Sequence, residues 1–122
     1  MSGKKKILII EDEEDFATLV SIRLEEAGFE VHSEIRGDHA LSRVNELKPD
    51  LVVLDYFLSR GDGFTILRKI KERSATSPIP VILVTGKATM MEDVFRVEGA
   101  ADFFRKPVDM KTLVARVKEL IG

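Results

Sequence analysis

The sequence predicts an α/β fold: a doubly wound parallel sheet with helices on both faces. Three observations carry that expectation. Five short apolar runs alternate with five amphipathic stretches along 122 residues. The strongest runs, Ile7–Ile10, Leu51–Leu54 and Val81–Val84, are continuous rather than alternating, which marks strands buried on both faces. Single helix-length segments separate the runs, so the units read as βαβ and the sheet as parallel. No repeat, low-complexity tract or linker interrupts the series, and one domain over 1–122 is expected.

Each element has its own signal. Ile7-Leu8-Ile9-Ile10 is the first strand. Phe16, Leu19, Val20, Leu24 and Ala27 then recur at helical spacing, and Gly28 ends that helix. Glu30 to Glu34 holds fewer apolar residues and suits an edge strand. Ala40, Leu41, Val44 and Leu47 share a second helical stripe, which Pro49 stops. Leu51-Val52-Val53-Leu54 reads as a central strand. Gly61 and Gly63 punctuate the loop after it, and Phe64, Leu67 and Ile70 mark the third helix. Ser77-Pro78-Ile79-Pro80 turns the chain into the fourth strand, Val81 to Val84. Thr89-Met90-Met91-Glu92 has the form of a capping box for a fourth helix that ends by Gly99. Ala101 to Arg105 is the fifth strand. Asp109 is a good N-cap for a last helix that buries Leu113, Val117, Leu120 and Ile121.

Composition narrows the function classes. The chain is 44% apolar and 33% charged, with formal net charge −2. That balance gives no electrostatic case for nucleic acid or an anionic membrane. No cysteine is present, which excludes thiolate metal sites and cysteine nucleophiles. The basic start, Met1 to Lys6, leads into an apolar run too short for a signal peptide or a membrane span, so a cytoplasmic home is expected.

In open α/β sheets the ligand site lies beyond the carboxyl ends of the strands. Glu11 and Asp12 follow strand one, and Asp55 follows strand three. Thr85 ends strand four, and Lys106-Pro107 follows strand five. Three carboxylates, a hydroxyl and an ammonium therefore converge on one sheet edge. Crowded carboxylates repel and raise one another's pKa. A hard divalent cation such as Mg²⁺ relieves this through oxygen ligands. An aspartate in such a place can act as a nucleophile and form an aspartyl phosphate, in a reaction that needs mainly positioning and charge neutralisation. Taken alone, Glu11 to Asp15 is an acidic run at a helix start, Asp55 a strand-end turn residue and Lys106 a surface lysine. Their joint placement reverses those readings.

The chain resembles a response-regulator receiver domain of two-component signalling over essentially its whole length. The residues that carry the resemblance are Glu11-Asp12-Glu13, Asp55 with Asp62-Gly63, Thr85-Gly86, Gly99-Ala100 and Lys106-Pro107. It implies a flavodoxin-like three-layer sandwich with five strands in the order 2-1-3-4-5, the order of the family's chemotaxis member, and five helices. It implies Asp55 as the phosphoacceptor, served by a histidine kinase, a phosphotransfer protein or a small phosphodonor. Mg²⁺ would be held by Asp12 and Asp55 directly, by Glu11 through water and by the backbone carbonyl of Phe57. Lys106, before an expected cis proline bond, would pair with Asp55 and then with the phosphoryl oxygens. Thr85 and Phe103 would be the switch pair, acting on the face of the fourth helix, fifth strand and fifth helix. The domain would catalyse only its own phosphorylation and dephosphorylation, so it is not an enzyme toward external substrates. Partners implied are the kinase, a downstream protein or output domain outside this sequence, and, as an option, a second copy in a phosphorylation-dependent homodimer. Direct nucleic-acid and membrane binding are not expected.

The chain departs from the family pattern in places. Glu11 stands where aspartate is commoner, Ser59 where proline is frequent, and Phe103 where tyrosine is frequent. Thr85 to Gly99 is one residue shorter than usual. Phe57 and Lys87 border the path expected for hydrolytic water. Tyr56, Phe95, Met90 and Met91 read as packing or surface residues, and His32 and His39 as surface or edge residues, not phosphoryl carriers. A haloacid-dehalogenase-type hydrolase is disfavoured because Glu11-Asp12-Glu13-Glu14 stands where that class needs Asp-x-Asp. A flavin binder would need a Ser/Thr/Gly-rich loop there, and no phosphate-loop signature occurs. A phosphorylation-independent binding module is disfavoured because every site position carries its expected chemistry.

Overall fold

The computed structural model describes residues 3–86 and 99–122. Within them the strands are β1 (Lys6–Ile10), β2 (Glu30–Glu34), β3 (Leu51–Asp55), β4 (Val81–Thr85) and β5 (Asp102–Arg105). The helices are α1 (Glu14–Glu26), α2 (Ala40–Leu47), α3 (Gly63–Glu72) and α4 (Met110–Ile121), with a 3-10 turn at Gly37–His39 leading into α2. The helix expected between β4 and β5, with its capping box and with Lys87, Met90, Met91 and Phe95, lies outside the described residues. No described helix is long and apolar enough to cross a membrane.

All strand pairs are parallel, in the order β2-β1-β3-β4-β5. The continuous apolar runs explain the layering. Alternate residues of one run face opposite sides, so each central strand feeds two cores. Ile7, Ile9, Val53, Ile82 and Val84 pack with Phe16, Val20 and Leu24 of α1 and with Leu113 and Val117 of α4. Leu8, Ile10, Val52, Leu54 and Leu83 pack on the other side with Val44 of α2 and with Leu67 and Ile70 of α3. β2, the weakest run, is an edge strand whose residues stay partly exposed.

Helix ends follow local chemistry. Gly28 takes φ +99, its N–H donates to the Glu25 carbonyl, and the Phe29 N–H donates to the Leu24 carbonyl. That pair of bonds is a Schellman cap, which needs a left-handed residue and so favours glycine. α2 ends with Lys48 at φ +52, its N–H 2.9 Å from the Val44 carbonyl. Pro49 bars the right-handed region to Lys48, so the chain leaves the helix there. Asp62 and Asp109 cap α3 and α4, accepting the N–H groups of Phe64 at 3.0 Å and Lys111 at 3.1 Å.

The α1 stripe differs from the expectation at one position. Phe16, Ala17, Val20 and Leu24 are buried, whereas Leu19 is 41% exposed. At about 100° per residue the buried set centres between Val20 and Leu24, and Leu19 points roughly 115° away from that centre. Ala17, a small residue, takes the inward place instead.

Candidate functional site

Register sets the site. Ile10 pairs with Leu54, Asp55 with Val84, and Thr85 with Arg105. The residues at or just past these strand ends therefore lie side by side on one edge. Glu11 is 1% exposed and Asp55 5%, and Thr85 is fully buried. Asp12 is half-buried and stands nearer the rim. One carboxylate oxygen from each of Glu11, Asp12 and Asp55 lies within 4.8 Å of the others.

Lys106 enters from the far side of the sheet. Its backbone N–H donates to the Thr85 carbonyl at 2.7 Å, and the Lys106–Pro107 bond is cis, as expected. Its ammonium lies 2.6 Å from Glu11 Oε1, 3.4 Å from Asp55 Oδ2 and 3.5 Å from Glu13 Oε2. The resemblance pairs this lysine with Asp55; in the structure Glu11 is its nearer carboxylate. That contact is a charge pairing, since buried Oε1 has no aligned hydrogen-bond donor. The ammonium also sits 4.4 Å from the centroid of the Phe16 ring.

The loops orient the acids. Asp55 Oδ1 accepts the Phe57 N–H at 3.1 Å. Asp12 Oδ2 accepts the Ser59 N–H at 2.7 Å. Glu11 Oε2 accepts the Glu13 N–H at 3.0 Å. Gly63 lets α3 begin against the end of β3: a Cβ there would strike the Asp55 carbonyl and the Tyr56 backbone. The Tyr56 and Phe57 rings meet edge to face at 4.6 Å, and Phe57 is 43% exposed. Phe103 sits opposite Leu83 in β5 and packs against the α2–α3 side of the sheet.

The charges are held unequally. Burial pushes the Glu11 carboxyl up to about 7, helped by its contact with Asp55 and opposed by Lys106. At Asp12, burial pushes the other way, but the Ser59 hydrogen bonds prevail and hold the carboxyl below its usual value. For Lys106, burial is outweighed by Glu11 and Asp55, and its pKa is raised.

The donor set fits a Mg²⁺ site. Among the described residues it is all oxygen, the acid trio outnumbers the ammonium facing it, and buried Glu11 Oε1 lacks an aligned donor. A hollow of about 640 Å³ between the end of α1 and the start of α4 gathers no such acid cluster. The histidines stand apart from the site: His32 Nε2 lies 2.7 Å from Glu30 and His39 Nδ1 3.9 Å from Glu34, beside edge strand β2. Sequence reasoning missed three contacts, from Glu13 and Phe16 to Lys106 and from the Ser59 N–H to Asp12. Glu13 lay within the acidic motif. The Phe16 ring and the Ser59 amide left no signal beyond a core position and a missing proline.

Known proteins resemble the chain over nearly its whole length. A model of the response regulator receiver domain matches residues 7–118. The phosphate regulon transcriptional regulatory protein PhoB of Rhizobium meliloti is 38% identical over 117 residues, covering 95% of this chain and 52% of PhoB. The chain spans about half the length of the curated relatives it matches. The signal receiver domain of a DNA-binding response regulator from Colwellia psychrerythraea is 32% identical with a TM-score of 0.91, covering 97% of this chain and 98% of that one. The beryllofluoride-activated receiver domain of Klebsiella pneumoniae RstA is 30% identical with a TM-score of 0.85, covering 95% and 97%.

Proposed function

The chain belongs to the response regulator receiver domain family of two-component systems, and on that footing we propose that it accepts a phosphoryl group on Asp55 and acts as a signalling switch. One observation carries the reading: Glu11, Asp12 and Asp55 converge within 4.8 Å, with the Lys106 ammonium 2.6 Å from Glu11 and 3.4 Å from Asp55. A carboxylate oxygen of Asp55 attacks phosphorus in line. The Asp55 O–P bond forms as the donor's P–N bond, for a phosphohistidine, or P–O bond, for acetyl phosphate, breaks. The leaving group takes the electron pair.

Asp12, Asp55, Glu11 and the Phe57 carbonyl would hold a Mg²⁺ ion, which when bound would neutralise charge on the transferring oxygens. The Lys106 ammonium turns from Asp55 to a phosphoryl oxygen. Thr85 donates its hydroxyl to another, and the Phe103 ring follows it inward, which biases the β5 and α4 face. Water later cleaves the O–P bond, so the domain turns over only its own phosphoryl group. The donor is a histidine kinase or phosphotransfer protein in the cytoplasm. The receiver of the signal is an output domain or separate partner, in keeping with relatives named as transcriptional regulators.

The test is labelling by acetyl phosphate. With Mg²⁺ the expected product is an acyl phosphate, labile to base and to hydroxylamine, and chelation of the metal stops its formation. A base-stable phosphoester, or labelling indifferent to chelation, contradicts the reading.

A further inference from the structure

The Lys106 ammonium touches carboxylates of Glu11, Glu13 and Asp55 and, on another side, the face of the Phe16 ring. Phe16 is 9% exposed and lies in the first turn of α1, a few residues beyond Glu11 and Glu13. A leucine or methionine there would also be apolar enough for the core. What an aromatic ring adds is the negative face of its quadrupole, 4.4 Å from a cation whose side chain is 13% exposed. The ring also shields that side of the ammonium from water, which strengthens its remaining interactions.

We propose that Phe16 is a positioning residue for Lys106: its ring face holds the ammonium among Glu11, Glu13 and Asp55 and so governs both phosphoryl transfer to Asp55 and metal entry at the same carboxylates. The phosphoryl half of this statement rests on the reading of Asp55 as acceptor; the metal half does not. Lys106 and Mg²⁺ compete for Glu11 and Asp55. A loosened lysine thus yields to the metal more readily, yet is less often in place for the transferring oxygens. The two effects have opposite signs, whereas damage to the fold lowers both.

The experiment compares wild type, Phe16→Leu, Phe16→Met and Phe16→Tyr, alone and with Lys106→Met. In wild type the Lys106 Cε methylene protons are expected upfield of ordinary lysine positions, because they adjoin an Nζ that lies over the ring. Phe16→Leu and Phe16→Met should return them to ordinary positions, tighten Mg²⁺ binding by about threefold and slow acetyl phosphate labelling by roughly fivefold. Phe16→Tyr should keep all three wild-type values. With Lys106→Met in place, Phe16→Leu should leave Mg²⁺ affinity unchanged. The proposal is overturned if the wild-type lysine protons are not shifted, if Phe16→Leu weakens Mg²⁺ binding, or if it changes Mg²⁺ affinity equally with and without Lys106. The spectrum needs no variant to fold. Should wild type take no phosphoryl group at all, the Asp55 reading fails while the lysine shift and the metal series still decide the role of Phe16.

Discussion

Glu11 and Asp12 are neighbours in the chain, yet their carboxyls move in opposite directions. Glu11 forms the floor of the site, buried at the end of β1, and is pushed up to about 7. Asp12 stands at the rim, where the Ser59 N–H at 2.7 Å overcomes partial burial and holds it below the carboxylate norm. Floor and rim are therefore built by different physics. The floor desolvates charge and offsets it with the Lys106 ammonium. The rim is set by directed hydrogen bonds from a loop. Only the floor is strained by its own charge, and only the floor gains greatly when a cation arrives.

Removing the shared ammonium should break the floor most severely. Lys106→Met takes away the fixed positive charge that faces the transferring oxygens, and labelling of Asp55 should slow by about a hundredfold. A rate within a fewfold of wild type would show that the ammonium has no part in transfer.

The next effect is a pH dependence of stability without metal. The folded Glu11 carboxyl is raised from 4.5 to about 7. The folded state thus holds its proton where the unfolded chain has lost it. Stability from this group is complete below about pH 4.5 and is lost as pH rises through about 7, a fall of up to roughly 3 kcal/mol. Urea unfolding at stepped pH should show this fall, Glu11→Gln should remove it, and Mg²⁺ should oppose it. A metal-free stability that climbs across that window would contradict the account of the floor.

At the rim the sign reverses and the size shrinks. Asp12→Asn removes a favourably bonded charge, so above pH 7 it should lower metal-free stability by about 0.5 kcal/mol, after allowance for solvent screening. Glu11→Gln should raise stability under the same conditions. Equal signs in the two variants would erase the distinction. Smallest of all, Ser59→Pro removes the amide and hydroxyl donors that Ser59 offers Asp12. The Asp12 carboxyl should then titrate closer to its ordinary value by NMR, with stability changed by less than about 0.5 kcal/mol.

Much of this was legible in the sequence, and the rest was not, for physical reasons. The strands were legible because doubly buried strands must be continuous apolar runs, and the sheet edge followed because such strands deliver their last residues to one place. Asp55, Glu11, Asp12, Thr85 and Lys106 come together as that logic requires. The rotation of α1 was less legible. Leu19 and Val20 are adjacent and equally apolar, and only the packed helix reveals that Ala17 turns inward and Leu19 outward. The order of contacts around Lys106 was not legible at all. Whether its ammonium lies nearer Glu11 or Asp55, and whether a ring or an aliphatic chain backs it, depends on side-chain reach across elements 93 residues apart in the case of Glu13. Ser59 likewise reads as a mere absence of proline until the loop places its N–H on Asp12.

Intact mass after incubation with acetyl phosphate and Mg²⁺ tests the central claim most directly. Wild type should gain one phosphoryl group and Asp55→Asn none, with both variants folded and binding the same reagent. A phosphoryl group that appears on Asp55→Asn as readily as on wild type would place the chemistry elsewhere.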